Sequence, residues 1–107
     1  MRSVRGDVYR LRAAKQGRGH EQKGVRYAVE LQGPIPLSTV IVAPTSTRAA
    51  PAVFRPDIDM DGTKTTVLVD QMAAVDGALR LGDVVGRLSA HEMAEVDLAL
   101  RLLLGLL

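Results

Sequence analysis

The stretch Val40–Thr47, with the sequence VIVAPTST, decides the fold. Its first four residues form a short continuous apolar run, which is typical of a buried β-strand. A proline and three hydroxyl residues follow at the point where that strand should end. A second stretch, EQKGVR at residues 21–26, shows the reverse order, because its polar cluster precedes the alternating sequence of Tyr27–Leu31. Each stretch therefore predicts a polar cluster at the edge of a strand.

Strand patterns continue outward from these two stretches over the first four fifths of the chain, and Gly and Pro clusters separate them. We predict strands at Val8–Leu11, Arg26–Leu31, Val40–Ala43, Ala52–Phe54, Thr66–Val69 and Val84–Leu88, an exposed basic loop at Lys15–Lys23, a connection at Gly33–Pro36 and a turn at Asp57–Thr63.

A helix is predicted at the C-terminal end. Ser89 and Glu92 have the spacing of a capping box, and Gly105 has the position of a helix stop. Short strands followed by one amphipathic helix predict a mainly β member of the α+β class. We expect a small, partly open SH3-like barrel in a single domain over residues 1–107. The apolar residues at helical spacing are Met93, Val96, Leu100, Leu103 and Leu104.

The composition limits the chemistry and the location of the protein. The chain has no cysteine, so disulfides and thiolate metal sites are excluded. Arginines interrupt every apolar run near the N-terminus, and the run Leu102–Leu107 is too short to span a bilayer. We expect a cytoplasmic protein without membrane association.

The net charge of +2 is unevenly distributed along the chain. Residues 1–55 carry ten basic and three acidic side chains, whereas residues 56–107 carry four basic and nine acidic ones. Such a split is expected of a domain that presents a basic face to a polyanion. The alternative is that the two sets intermix on an ordinary solvated surface.

Arg26 and Thr45 are the candidate catalytic residues, because each lies where a polar cluster meets a strand. A guanidinium and a hydroxyl suit a phosphodiester, whose charge needs a fixed cation and hydrogen-bond donors more than a metal. We therefore expect no metal and no cofactor. In the alternative interpretations, Arg26 forms an ion pair with an acidic neighbour and the Thr45 hydroxyl binds the backbone.

Five motifs in order resemble the MazF/PemK family of toxin ribonucleases, and the resemblance runs from about residue 5 to the C-terminus. It implies the PemK/CcdB-like barrel and matches the catalytic arginine and threonine of the family to Arg26 and Thr45. The motifs are RGDVY at 5–9, EQKGVR at 21–26, the strand leading to Thr45, Asp70-Gln71 at a strand end, and GRLS at 86–89 before the terminal helix.

The resemblance also implies a function. The expected protein is the toxin of a type II toxin–antitoxin system, a homodimeric endoribonuclease that cuts single-stranded RNA at a specific sequence and so inhibits translation. Its cognate MazE-like antitoxin would block the RNA groove with a flexible acidic and apolar tail. The expected RNA-binding residues are Lys15, Arg18, His20, Glu21, Gln22, Lys23, Ser46, Thr47, Arg48 and Gln71.

Four features depart from the family or have another interpretation. Tyr27 follows the catalytic arginine where the family usually has proline, and the segment between Leu31 and Val40 is shorter than usual. The acidic motif at Asp57–Gly62 begins like a calcium loop, but Leu68 stands where a glutamate is required, so we predict an acidic turn. The pair Asp70-Gln71 could equally be structural.

Two other functional classes remain open from the sequence. One is a non-catalytic SH3-like module that binds RNA or protein through its basic face. The other is a CcdB-type poison of DNA gyrase, which acts through the terminal helix and does not need the arginine and hydroxyl pair.

Overall fold

The computed structural model describes residues 4–13 and 25–106, which form seven strands of one antiparallel sheet. The strand order is β4-β5-β3-β2-β1-β7, and β6 also pairs with β3. The elements are β1 Asp7–Leu11, β2 Arg26–Glu30, β3 Thr39–Ser46, β4 Asp57–Met60, β5 Thr63–Val67, a 3₁₀ turn Val69–Gln71, β6 Ala73–Asp76, α1 Gly77–Arg80, β7 Leu81–Arg87 and α2 Ala90–Leu104.

The long strand β3 organises the sheet. One of its edges pairs with β2, while the other pairs with β6 along the first half and with β5 at the end. β-Branched residues favour this pleated, enclosed position, and three of them, Val40, Ile41 and Val42, stand in a row at its start. The strand predicted at Val40–Ala43 is thus confirmed, and it extends to Ser46.

The sheet curls into a half-barrel because the pairing of β1 with β7 is irregular. The register shifts twice, once after Val8 and again after Tyr9. Such irregularities bend a strand and increase its twist. Gly82 permits the close approach, since a Cβ at this position would lie 2.8 Å from the Arg10 carbonyl oxygen. The predicted partly open barrel is confirmed.

The core lies between the concave face of the sheet and α2. Val29, Ala43 and Val67 from three adjacent strands meet Val96 and Ala99 of the helix, and all five are at most 1% exposed. Burying such apolar side chains is the dominant favourable term in folding. The helix therefore closes one side of the half-barrel.

Helix α2 begins and ends where the sequence predicts. The Ser89 hydroxyl accepts a hydrogen bond from the Glu92 amide at 3.1 Å, and Glu92 Oε1 accepts from the Ser89 amide at 2.9 Å. Gly105 ends the helix with a φ of +69°. The expected apolar stripe is only partly buried, because Leu103 and Leu104 at its end are 37% and 51% exposed.

Glu92 also connects the helix to the sheet. Its Oε2 accepts a hydrogen bond from the Asp59 amide of β4 at 2.8 Å. Burial opposes the charged carboxylate, but the hydrogen bonds from Ser89 and Asp59 outweigh it and hold the pKa of Glu92 below its ordinary value. The ionised form of Glu92 is thus the one that fastens the helix start to the hairpin.

The region around β4 corrects three sequence predictions. The strand expected at Ala52–Phe54 is wrong, since Val53 and Phe54 form a turn in a loop. The turn expected at Asp57–Thr63 is wrong over its first half, where Asp57–Met60 is a strand. The strand expected at Thr66–Val69 instead spans Thr63–Val67.

The physical reason is an acidic strand with period-two burial. Ile58 is 3% exposed, whereas Asp57 and Asp59 beside it are exposed, so the two aspartates conceal the strand pattern. Asp61 and Gly62 have φ values of 52° and 87°, as the Asp-Gly turn of a two-residue hairpin requires. No helix in the described ranges is long and apolar enough to cross a membrane.

Candidate functional site

The start of β2 and the end of β3 lie side by side. Their register pairs Ala28 with Pro44, and continuing it by one step each time places Tyr27 opposite Thr45 and Arg26 opposite Ser46. The Thr45 hydroxyl donates a hydrogen bond to the Tyr27 carbonyl oxygen at 3.2 Å, which agrees with this continuation. The fold therefore brings Arg26 and two hydroxyl residues to one corner of the sheet.

The two hydroxyl residues belong to opposite faces of the sheet. Thr45 pairs with Val67, which is fully buried in the core, so Thr45 lies on the core face. Ser46 pairs with Thr66 and shares the other face with Arg26, because side chains alternate along a strand. Directly opposite side chains have Cβ atoms about 5 Å apart. Ser46 is thus the hydroxyl that the register sets beside Arg26, and the catalytic role of Thr45 stays a prediction.

Arg26 is exposed to solvent. It forms no ion pair with any residue in 4–13 or 25–106, so the alternative of a structural ion pair finds no support there. The alternative for Thr45 fits better, since its hydroxyl is bound to a backbone carbonyl. An exposed guanidinium at a strand end is able to hold two oxygens of a phosphate.

The residues after β3 form a polar turn. The Ser46 Oγ accepts a hydrogen bond from the Arg48 amide at 3.0 Å, which is a side-chain turn of the kind that serine often makes. Thr47 and Arg48 are both exposed. Three of the predicted RNA-binding residues therefore stand in a row beside Arg26.

A groove of about 470 Å³ opens between the β4–β5 hairpin and β7. Tyr27 and Thr47 line it on the sheet side, and Asp59 and Arg87 line its opposing walls. Tyr27 packs against the core, so the groove lies on the core face of the sheet. Arg26 and Ser46 are not among its lining residues. The groove therefore adjoins the Arg26 corner, since Tyr27 and Thr47 follow Arg26 and Ser46 in the chain.

An ion pair that sequence reasoning missed adjoins the corner. Arg55 donates two hydrogen bonds to Asp70, from Nε at 3.1 Å and from Nη2 at 3.0 Å, and about a fifth of each side chain is exposed. The hydrogen bonds from Arg55 lower the pKa of Asp70 and raise the pKa of Arg55, and partial desolvation opposes both shifts. The partners are fifteen residues apart in the sequence, and no local sequence pattern predicts such a pair.

The predicted pair Asp70-Gln71 therefore divides into two roles. Asp70 forms the ion pair, which agrees with the structural alternative. Gln71 is exposed at the end of the 3₁₀ turn, and its backbone N–H donates to the Leu68 carbonyl oxygen at 2.9 Å. An RNA contact by Gln71 stays a prediction.

Six predicted RNA-binding residues lie outside the described ranges. They are Lys15, Arg18, His20, Glu21, Gln22 and Lys23. Within the described ranges, no group of three or more His, Cys, Asp or Glu side chains is placed to hold a metal ion. The acidic motif is part of a hairpin, in which Asp59 Oδ1 accepts from the Gly62 amide at 2.7 Å and Asp57 lies 3.4 Å from Lys64 Nζ.

Comparisons with known proteins place this geometry in context. The sequence profile of PemK-like, MazF-like toxins of type II toxin–antitoxin systems matches residues 4–104. A protein of Mycobacterium tuberculosis (strain ATCC 25618 / H37Rv) named as a candidate toxin, Rv3098A/RVBD_3098A, is 48% identical over 104 residues. The match covers 96% of this chain and 98% of that protein.

Solved structures share the fold over nearly the whole chain. MazF from Deinococcus radiodurans is 26% identical with a TM-score of 0.76, covering 98% of both chains. A MazE–MazF complex from the same organism, Form-II, is 26% identical with a TM-score of 0.79, and the match covers 96% of each chain. An endoribonuclease from Mycobacterial species, in complex with its cognate antitoxin, has a TM-score of 0.78 at 20% identity, covering 98% of this chain and 97% of that one. At that identity the likeness concerns the fold alone.

Proposed function

Because this chain belongs to the PemK-like, MazF-like toxins of type II toxin–antitoxin systems, we propose that it is an endoribonuclease. It cuts single-stranded RNA at a specific sequence without a metal ion, and the cleavage inhibits translation and growth. The observation that supports this proposal is the pairing of β2 with β3 through Ala28 and Pro44 and the Thr45–Tyr27 hydrogen bond, which bring the start of β2, with the exposed Arg26, close to the end of β3.

The chemistry follows from the residue types at this corner. The ribose 2′-oxygen attacks the adjacent phosphorus and gives its proton to a base, while the bond from phosphorus to the 5′-oxygen breaks and that oxygen takes up a proton. The products are a 2′,3′-cyclic phosphate and a 5′-hydroxyl. Arg26 binds two phosphate oxygens as charge develops, and a hydroxyl donates to a third.

The proton acceptor is a separate question. Arginine is a poor base because its pKa is above about 12. The sequence offers His20 and Glu21, which precede Arg26, and a histidine titrates in the useful range. We assign Arg26 to the phosphate and assign no residue to the proton acceptor.

Three partners are part of the proposal. Single-stranded RNA is the substrate, and a MazE-like antitoxin is the inhibitor, as in the MazE–MazF complex that shares the fold. A homodimer is supported by apolar side chains that are exposed in the single chain and that a second copy would cover. They include Leu98, Leu102 and Leu104 of α2. Light scattering of the purified protein, alone and mixed with a MazE-like antitoxin, measures both associations.

The test of the reaction uses RNA fragments and their ends. Purified protein is incubated with a long single-stranded RNA in excess EDTA, and the new termini are mapped and chemically identified. We expect cleavage at a short motif with 2′,3′-cyclic phosphate ends. A strict need for Mg²⁺ or Mn²⁺ contradicts the mechanism, and binding without any cleavage favours the non-catalytic module. Inhibition of DNA gyrase with RNA left intact favours the CcdB-type poison.

A further inference from the structure

The ion pair of Arg55 with Asp70 holds the segment that follows the candidate site. Residues 47–56 connect β3 to β4 and begin directly after Ser46. Besides binding Asp70, Arg55 donates from Nη1 to the Ala50 carbonyl oxygen at 3.2 Å, and its guanidinium lies 6.0 Å from the centre of the Phe54 ring. One side chain thus joins the middle of this segment to the turn that carries Asp70.

Further hydrogen bonds of the segment lie at its two ends and within it, where the Arg55 amide donates to the Ala52 carbonyl oxygen at 2.9 Å. The Arg48 amide binds the Ser46 hydroxyl at one end, and the Val67 amide binds the Pro56 carbonyl at the other at 2.8 Å. Phe54 packs partly against the core, whereas its neighbour Val53 is 79% exposed. A segment with few buried contacts takes much of its conformation from its specific hydrogen bonds. The contact of Arg55 with Ala50 is the one that joins the middle of the segment to the Asp70 turn.

Asp70 is well suited to position Arg55, because its two carboxylate oxygens accept from two nitrogens of the guanidinium, a paired arrangement called here the fork. Two parallel hydrogen bonds fix the plane of the guanidinium, which a single point charge could not do. With Nε and Nη2 engaged by Asp70, only Nη1 is directed to Ala50. The orientation of Arg55, and with it the place of the segment, thus depends on Asp70.

We propose that Asp70 is a positioning residue that acts through Arg55 to hold residues 47–56, and so sets Thr47 and Arg48 for binding RNA. This inference rests on the proposed function for its RNA readout. In this inference Asp70 does not touch the reacting atoms, whereas its neighbour Gln71 is an expected RNA contact. The ion pair then controls the affinity for RNA more than the rate of the chemical step.

The first experiment measures the segment without RNA. Amide hydrogen exchange over residues 47–56 is compared between the parent protein, Asp70→Asn and Arg55→Lys. We expect both variants to lose protection there while the core strands keep theirs, because each variant breaks the fork. Asp57→Asn is the control, since it weakens an ion pair of the neighbouring hairpin whose lysine is 79% exposed. Unchanged protection in both fork variants would overturn the proposal.

The second experiment separates binding from chemistry. Single-turnover cleavage is measured across RNA concentrations at a temperature well below the unfolding midpoint of each variant. For Asp70→Asn we expect the RNA concentration at half-maximal rate to rise about tenfold to a hundredfold, with a maximal rate within about threefold of the parent. Asp70→Glu should restore part of the affinity. The double variant Arg55→Lys with Asp70→Asn should bind RNA no more weakly than the single variant that binds it less tightly.

The outcomes distinguish this inference from the proposed function. A loss of maximal rate at full segment protection, or a shifted pH profile in Asp70→Asn, would make Asp70 a catalytic group and overturn the positioning role. If the parent protein cuts no RNA, the proposed function fails, while hydrogen exchange still decides whether Asp70 holds the segment.

Discussion

The two faces of the β2–β3 corner differ at the strand ends, although both are buried farther along, at Val29 and Ala43 on one face and at Ala28 and Val42 on the other. On the core face, Val29 and Ala43 are fully buried and the Thr45 hydroxyl is bound to a backbone carbonyl. On the other face, Arg26 is exposed, and the continued register places it across from Ser46, whose Oγ accepts from the Arg48 amide. One step along the strand therefore changes both the face on which a hydroxyl lies and the group that binds it.

The largest expected effect is the loss of Arg26, which removes the cation from the exposed face. Arg26→Ala should lower the cleavage rate by about 10²–10³, as removal of a transition-state donor typically does. The measurement is single-turnover cleavage, with circular dichroism to show that the fold is kept. Arg101→Ala, which removes the same charge from the far end of α2, is the control. Equal loss in both variants would point to net charge instead of a site.

A comparison of Ser46 with Thr45 tests the two faces directly. Thr45→Val should lower the maximal cleavage rate by about 10², because it removes the hydroxyl predicted to donate to a phosphate oxygen. Ser46→Ala should lower the rate less, although Ser46 shares a face with Arg26 in the continued register. Rates and unfolding midpoints are measured for both variants. A larger rate loss in Ser46→Ala than in Thr45→Val would assign the catalytic role to Ser46 instead.

The basic segment before β2 should affect affinity and leave the chemistry unchanged. Replacing Lys15, Arg18 and Lys23 with glutamine removes contacts to phosphates that do not read sequence. RNA binding should weaken, and the slope of log affinity against log salt should fall by roughly 0.7 per lost contact. Fluorescence anisotropy over a salt series measures this. Normal binding with slow cleavage would instead assign the segment to catalytic geometry and make His20 or Glu21 the first candidate for the base.

The smallest expected effect concerns stability, away from both faces. Glu92→Gln should lower the free energy of unfolding at pH 7 by about 1 kcal/mol, since it weakens two hydrogen bonds to a charged group. The folded-state pKa of Glu92 lies below the unfolded one, so this contribution is present above about pH 4.3 and disappears as the pH falls through the lower value. Urea unfolding of parent and variant from pH 7 to pH 3 measures the difference, and the exposed Glu95→Gln is the control.

Elements with strong local signals were predictable from the sequence. The apolar run of β3 and the capping box of α2 determine those elements almost alone. β4 was not predicted, because Asp57 and Asp59 conceal its strand pattern. β6, with the sequence AAVD at 73–76, was not predicted either, since it is a strand because it pairs with β3. Those two strands therefore depend on tertiary pairing.

Site residues followed a similar rule. Arg26 and the hydroxyl cluster were visible as polar residues at strand edges, because this signal is local. The face on which each hydroxyl lies was not, since it depends on the pairing register of three strands. Arg55 was missed because its partner Asp70 lies fifteen residues away, and only the folded loop brings the two together.

Glu92 has one more consequence for the molecule as a whole. A strand at the end of a sheet usually offers free amides to which the strand of another chain could add. On β4 the Asp59 amide is already bound by the Glu92 carboxylate, and the flanking Asp57 and Asp59 side chains would meet an incoming strand with negative charge. A residue of the cap of the terminal helix thus also protects this end of the sheet against aggregation by strand addition.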